Sequence, residues 1–187
     1  MDARSSDEEL MLRFSGGDPA AFDALYARHR GGVFRYLLRQ CANRAVAEEL
    51  FQDVWMNLAQ TRSRYRVQAK FSTYLYTLAH NRLIDHFRRH KGLQLVSLDQ
   101  EEDDPIQLQA SATLQPDRLA QSREQASRLL RLVAALPDAQ REAFVLHEEG
   151  GLSLDEIVEV AGSNREAVKS RLRYALAKLR DGMKDYL

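Results

Sequence analysis

Apolar residues recur at three- and four-residue steps through most of this chain, and the pattern predicts helices from end to end. Between Asp18 and Arg39 the positions Ala21, Phe22, Leu25, Tyr26, Val33, Phe34, Leu37 and Leu38 mark helical turns around Gly31-Gly32. A hairpin broken at the glycines and a single weakened helix both fit that spacing. Asn43 suits the cap of a helix running to Gln60, with Val46, Leu50, Val54 and Leu58 in one row. A polar, basic loop spans 61–70. Ser72 then suits the cap of a long helix from Thr73 to Lys91, with Leu75, Leu78, Ala79, Leu83 and Phe87 facing inward. Periodicity stops over 92–116, which holds two prolines, an acidic run and many Gln and Ser, and reads as a linker. It resumes over 117–136, breaks at Pro137, and continues from Asp138 to Glu148. The expectation is an all-α protein of two small helical domains, 1–92 and 117–187, joined by a flexible acidic linker over 93–116.

The segment from Leu152 to Arg180 carries the sharpest pattern. Ser153-Leu154-Asp155-Glu156 and Ser163-Asn164-Arg165-Glu166 each fit the S-x-x-E capping box, in which hydroxyl and carboxylate satisfy otherwise unpaired amides at a helix start. Two starts ten residues apart, with Gly162 before the second, predict a short helix, a tight turn and a second helix. In that second helix Ala167, Val168, Leu172, Ala175, Leu176 and Leu179 form the inward face, leaving Arg165, Lys169, Arg171, Arg173 and Lys178 on other faces. Seven Lys or Arg against three acids between Ser163 and Leu187 suit phosphates, and the first turn suits base edges in a major groove. The same residues also fit an ordinary solvated helix.

Composition changes the picture little. The chain has 187 residues and a formal net charge of zero, so no overall basicity announces nucleic-acid binding. The charge is segregated instead: Arg62 to Lys91 carries eight Lys or Arg and one Asp, and Asp99 to Asp104 carries five acids. Cys41 is the only cysteine, which excludes an internal disulfide and a cysteine-based zinc cluster. No apolar run suits membrane insertion, and the start MDARSSDEEL lacks the basic and apolar parts of a signal peptide. A cytoplasmic protein is the simplest reading.

Two constellations suit binding. In the Asn43–Gln60 helix, Glu48, Glu49, Gln52, Asp53 and Asn57 lie away from the apolar row, fitting a basic partner surface or, as composition favours, a solvated face. Trp55 suits core or edge packing better than a contact hot spot. From Arg62 to Lys91, cations interleave with Tyr65, Phe71, Tyr74, Tyr76, His80, Asn81, His86 and Phe87, as a single-stranded nucleic acid needs. Most of these aromatics also suit a core. Tyr65, between Arg64 and Arg66 without apolar periodicity, is expected to stay exposed. His86 and His90 have ligand spacing, but Arg88, Arg89 and Lys91 would repel a cation, so no metal is expected. With no Gly-rich phosphate loop, G-x-S-x-G or H-E-x-x-H, neither an enzyme nor a cofactor is expected.

In order and spacing these features resemble the extracytoplasmic-function sigma factors of bacterial RNA polymerase. AEELFQDVWMNL (Ala47 to Leu58) resembles the family's polymerase-binding helix, and FSTYLYTLAHNRLIDHFRR (Phe71 to Arg89) its minus-ten helix. LPDAQREAFVLHEEGGLSLDEI and AVKSRLRYALAKLR resemble its C-terminal DNA-binding domain. The resemblance implies an initiation factor that binds core RNA polymerase through the largest-subunit clamp helices and the flap, and that recognises and melts promoter DNA. It assigns Glu48, Glu49, Gln52, Asp53 and Asn57 to the polymerase, reversing the preference for a solvated face. Tyr65, Arg66, Lys70, His80, Asn81, Asp85, Arg88 and Arg89 fall to the minus-ten element, with a flipped base captured near Tyr65. Ser163, Asn164, Arg165, Glu166, Lys169, Ser170, Arg171 and Arg173 fall to the duplex minus-thirty-five element. It further implies an anti-sigma partner covering the polymerase-binding face, a monomer when free, and an acidic linker that either occupies the polymerase RNA channel or is a solvated spacer. Tyr74 stands where the family often has Trp, Val158 replaces a small residue, and Arg165-Glu166-Ala167 replaces a common Gly-Thr pair. The competing reading is a dimeric operator-binding regulator. That would need a ligand pocket or dimer face where the N-terminal half has a basic, aromatic loop.

Overall fold

The computed structural model describes residues 5–90 and 116–184. The acidic run and most of the expected linker lie outside them. Among the described residues the regular elements are all helical: α1 (Asp7–Ser15), α2 (Pro19–Cys41), α3 (Arg44–Thr61), a 3-10 turn (Arg62–Arg64), α4 (Phe71–His90), α5 (Pro116–Ala134), α6 (Asp138–Glu148), α7 (Leu154–Ala161) and α8 (Arg165–Gly182).

Helix α1 was not expected from the apolar pattern, yet it is tightly specified. Ser6 and Glu9 form a reciprocal capping box, and Leu10, Met11 and Phe14 enter the core. Asp7 reaches α2, 2.6 Å from both Arg28 and His29. Glu8 accepts the Phe71 amide at 2.8 Å, so a carboxylate from α1 satisfies the first turn of α4. That bond holds the Glu8 carboxyl below the ordinary carboxylate range. It also corrects the expected Ser72 cap, because α4 begins at Phe71.

The glycine pair does not break α2, which runs unbroken for 23 residues. Gly32 serves close approach instead: a Cβ there would lie 2.7 Å from the Tyr76 hydroxyl of α4 and 3.7 Å from the Glu149 carbonyl. Tyr76 is buried and its ring cannot swing aside. Gly32→Ala is therefore expected to destabilise the protein by about 1–2 kcal/mol, overpacking outweighing the roughly 1 kcal/mol of helix propensity gained. Urea denaturation of the two proteins checks this; equal midpoints would mean that the helices separate freely.

Helix α3 begins as the sequence predicts, with Asn43 accepting the Val46 amide at 3.0 Å. Trp55 is buried among Phe22, Tyr26 and Phe51, with ring centroids 4.9–6.2 Å away. A second helical group, α6 to α8, follows the same rules. Arg141 ties the α5–α6 corner by donating to the Ala134 and Leu136 carbonyls, both at 3.1 Å. Gly151, at φ +66°, turns the chain into α7, whose Ser153–Glu156 capping box forms as expected. Gly162, at φ +55°, ends α7 in the left-handed conformation that glycine adopts without strain. The cap of α8 is Asn164, which accepts the Ala167 amide at 2.8 Å, and not the expected Ser163. An Asn side chain one residue closer to the first turn wins the competition. Two residues expected to face inward lie at the surface: Phe87 near the end of α4 and Leu176 on α8 are each 37% exposed. One buried cluster runs from Leu10 to Leu179, joining both helical groups.

Candidate polymerase and promoter interfaces

On α3, burial of Ala47, Leu50, Val54, Trp55 and Leu58 forces Glu48, Glu49, Gln52 and Asp53 outward, with Asn57 half-buried. Glu48 is paired with Arg44 at 2.9 Å. Amid this polar row stands Met56, 57% exposed, which the sequence reading overlooked. It lies three residues from Asp53 and four from Gln52, so the three share one face. An exposed methionine ringed by acids and amides has the make-up of a contact surface.

The loop between α3 and α4 forms a cleft of about 360 Å³ lined by Arg64, Tyr65, Arg66, Gln68, Ala69, Tyr74, Thr77 and Glu159. Tyr65 is not the exposed ring the sequence suggests: it is 4% exposed, packed edge to face on Tyr74 at 5.2 Å, and its hydroxyl has no partner. The 3-10 turn swings the residue back under α1 and α4, a tertiary effect without a periodic signature. Burial, with Glu8 nearby, pushes its phenol above the ordinary range. Arg66 and Lys70 remain exposed at the rim; Arg66 donates to the Ser63 and Tyr65 carbonyls, and Lys70 pairs with Glu156 at 3.0 Å.

The other minus-ten candidates are spread along α4. His80 is half-buried and bonded to Glu142 at 2.7 Å. Asn81, Arg88 and Arg89 are exposed, and Asp85 pairs with Arg88 at 2.9 Å. His86 and His90 stack at 4.0 Å, and His90 Nδ1 contacts the His86 carbonyl. Burial, the neighbouring His90 and Arg89 lower the His86 pKa against the pull of Glu49.

On α8, Arg165, Glu166, Lys169 and Arg173 are exposed, Ser163 and Ser170 are half-buried, and Asn164 is occupied as the cap. Arg165 pairs with Asp155 of α7, which steadies the first turn. Arg171 parts from the group. It is half-buried on the flank toward Glu142, whose carboxyl its charge helps to lower. Tyr174, 51% exposed beneath the Arg173 guanidinium at 5.1 Å, joins the outward face and was also overlooked. Cys41 offers no reactive thiolate, because burial pushes its thiol up to about 11 against the weaker pull of Arg141.

Two family models match the two helical groups: Sigma-70 region 2 over residues 25–92 and Sigma-70 region 4 over residues 126–179. The chain is 30% identical over 171 residues to the RNA polymerase sigma factor CarQ of Myxococcus xanthus, covering 91% of this chain and 94% of that protein. It is 29% identical over 181 residues to the ECF RNA polymerase sigma factor SigK of Mycobacterium tuberculosis, covering 95% and 94%. Two solved structures share the fold. CnrH, in complex with the cytosolic domain of CnrY, aligns with a TM-score of 0.67 at 20% identity, covering 97% of this chain and 99% of that one. RpoE of Bartonella quintana, in complex with the anti-sigma factor NepR, aligns with a TM-score of 0.69 at 18% identity, covering 87% and 96%. The fold and the surfaces are those of a bacterial transcription initiation factor. The chain belongs to the sigma-70 family, in its extracytoplasmic-function class. It acts with core RNA polymerase on promoter DNA and is not an enzyme.

Proposed function

We propose that the three surfaces divide the work of initiation. The face of α3 formed by Glu49, Gln52, Asp53 and Met56, with Glu48 and Asn57 at its margins, docks on the polymerase clamp helices. The α3–α4 loop and α4 take the melted minus-ten strand: a flipped base enters the cleft floored by Tyr65 and Tyr74, Arg66 and Lys70 meet phosphates, and His80, Asn81, Asp85, Arg88 and Arg89 track the strand. The outward face of α8, with Arg165, Glu166, Lys169, Ser170, Arg173 and Tyr174, enters the minus-thirty-five major groove, Ser163 and Asn164 setting its first turn. Arg171 acts from the flank.

The observation that carries this reading is the cleft itself, about 360 Å³ with two tyrosines and two arginines in its lining. Extruding a base costs a few kcal/mol of stacking, and an aromatic, cationic receptacle returns part of it, so recognition and melting become one event. The Bartonella relative is solved with an anti-sigma factor, and an apolar residue among acids on α3 suits a similar sequestering partner here. No helix among the described residues is long and apolar enough to cross a membrane, and a partner of core polymerase works in the cytoplasm. The test is reconstitution. Purified chain and core polymerase should co-elute in equal amounts in size-exclusion chromatography and make promoter thymines reactive to permanganate. Co-elution without opening would refute the cleft assignment, and failure to co-elute would refute the α3 assignment.

A further inference from the structure

Three acids of the C-terminal helices meet donors of the N-terminal ones. Glu142 Oε1 takes two bonds at once, from the buried Tyr36 hydroxyl at 2.8 Å and with His80 Nδ1 at 2.7 Å. Glu149 is held by Arg35 at 2.9 Å and Arg39 at 3.1 Å. Glu156 takes Lys70 at 3.0 Å. Glu159 stands at the edge of the cleft. Desolvation works against the Glu142 carboxylate, but the bonds from His80 and Tyr36 and the charge of Arg171 outweigh it, so its pKa is lowered.

These contacts fall on the residues assigned to the minus-ten strand. Lys70 and His80 are occupied, and Glu159 places a carboxylate where a polyanion would lie. The geometry conflicts with promoter binding in a second way. Elements centred near minus ten and minus thirty-five are about 25 base pairs apart, roughly 85 Å of duplex at 3.4 Å per pair. With Glu142 bonded to His80, the two DNA-binding groups cannot span that distance.

We propose that docking of α6 and α7 on α2 and α4 is an autoinhibitory latch, in which acids of the C-terminal domain stand in for promoter phosphates and must be released before either promoter element is fully engaged. Its groups are polar on both sides and are readily rehydrated on opening, as a reversible contact requires. The inference rests on assigning Lys70, His80 and the cleft to the minus-ten strand.

The test uses the full chain without polymerase. A water-soluble carbodiimide, which condenses a carboxylate with an adjacent amine, should join Lys70 to Glu156 in a peptide identifiable by mass spectrometry. In the double variant Arg35→Gln, Arg39→Gln that cross-link should weaken. Affinity for fluorescent single-stranded DNA of randomised sequence, about 12 nucleotides long, should rise about five-fold as the competent fraction grows. The sign is diagnostic, because losing two cations without a latch would weaken DNA binding. The variant Glu142→Gln, Glu149→Gln should act alike, whereas Asp138→Asn, Glu148→Gln, with the same charge change outside the contact, should not. No cross-link in the unaltered chain would overturn the latch. So would a weakened cross-link with unchanged or poorer DNA affinity. If the cross-link weakens but no variant binds single-stranded DNA, the minus-ten assignment fails and takes the occlusion with it.

Discussion

Tyr65→Ala should lose about 3–5 kcal/mol of stability, whereas Tyr65→Phe should stay within about 0.5 kcal/mol of the original protein. The ring is almost wholly buried against Tyr74 under the first turn of α4, so truncation leaves a cavity. The hydroxyl has no partner, so its removal forfeits no hydrogen bond and relieves a buried, unsatisfied group. Guanidinium denaturation measures both. The pair also separates folding from function. Phe keeps the ring that lines the cleft and should open promoters normally, while Ala, assayed where it remains folded, should lose about 1–3 kcal/mol of base stacking, roughly 5- to 150-fold in opening. Duplex binding through α8 should change little. Permanganate reactivity read beside duplex binding decides it, and unchanged opening in the Ala variant would remove Tyr65 from the base pocket.

That prediction depends on a residue whose environment the sequence misstated. Periodicity located α3, α6 and the turn between α7 and α8, because there a cap, an apolar row and a left-handed glycine all agree. It failed where neighbours distant in sequence decide. Tyr65 is buried by the 3-10 turn and by α1, neither of which leaves a repeating pattern near it. The start of α4 is set by Glu8, more than 60 residues away, so Ser72 is passed over. Helix α1 was legible all the same: Ser6-Asp7-Glu8-Glu9 is a capping box, and Leu10, Met11 and Phe14 follow at helical spacing. Gly31-Gly32 looked like a hinge because its close contact with Tyr76 is tertiary. Among the site residues, the polar row on α3 and the basic face of α8 followed from amphipathicity. Met56 and Tyr174 did not, since apolar residues at exposed positions are assigned to the core by composition.

Met56 bears on the larger of the binding effects. Asp53→Ala should weaken association with core polymerase by about 2–3 kcal/mol, some 30- to 150-fold, if the carboxylate meets a cation in a contact that Met56 helps to dry. The physical reason lies in the arrangement rather than the charge alone. A fully exposed ion pair yields no more than about 1 kcal/mol, and salt screens it. An apolar side chain three residues away on the same face excludes water when the partner docks, and the pair is then strengthened. Met56→Ala should consequently weaken binding by about 1–2 kcal/mol although it carries no charge, and the two substitutions together should fall short of the sum of their separate effects. Neither should alter folding, since neither side chain is buried and Asp53 makes no ion pair among the described residues. Titration of labelled polymerase at two salt concentrations reads all of this. Additive losses that vanish at high salt would mean that Asp53 acts by long-range attraction, with Met56 outside the interface.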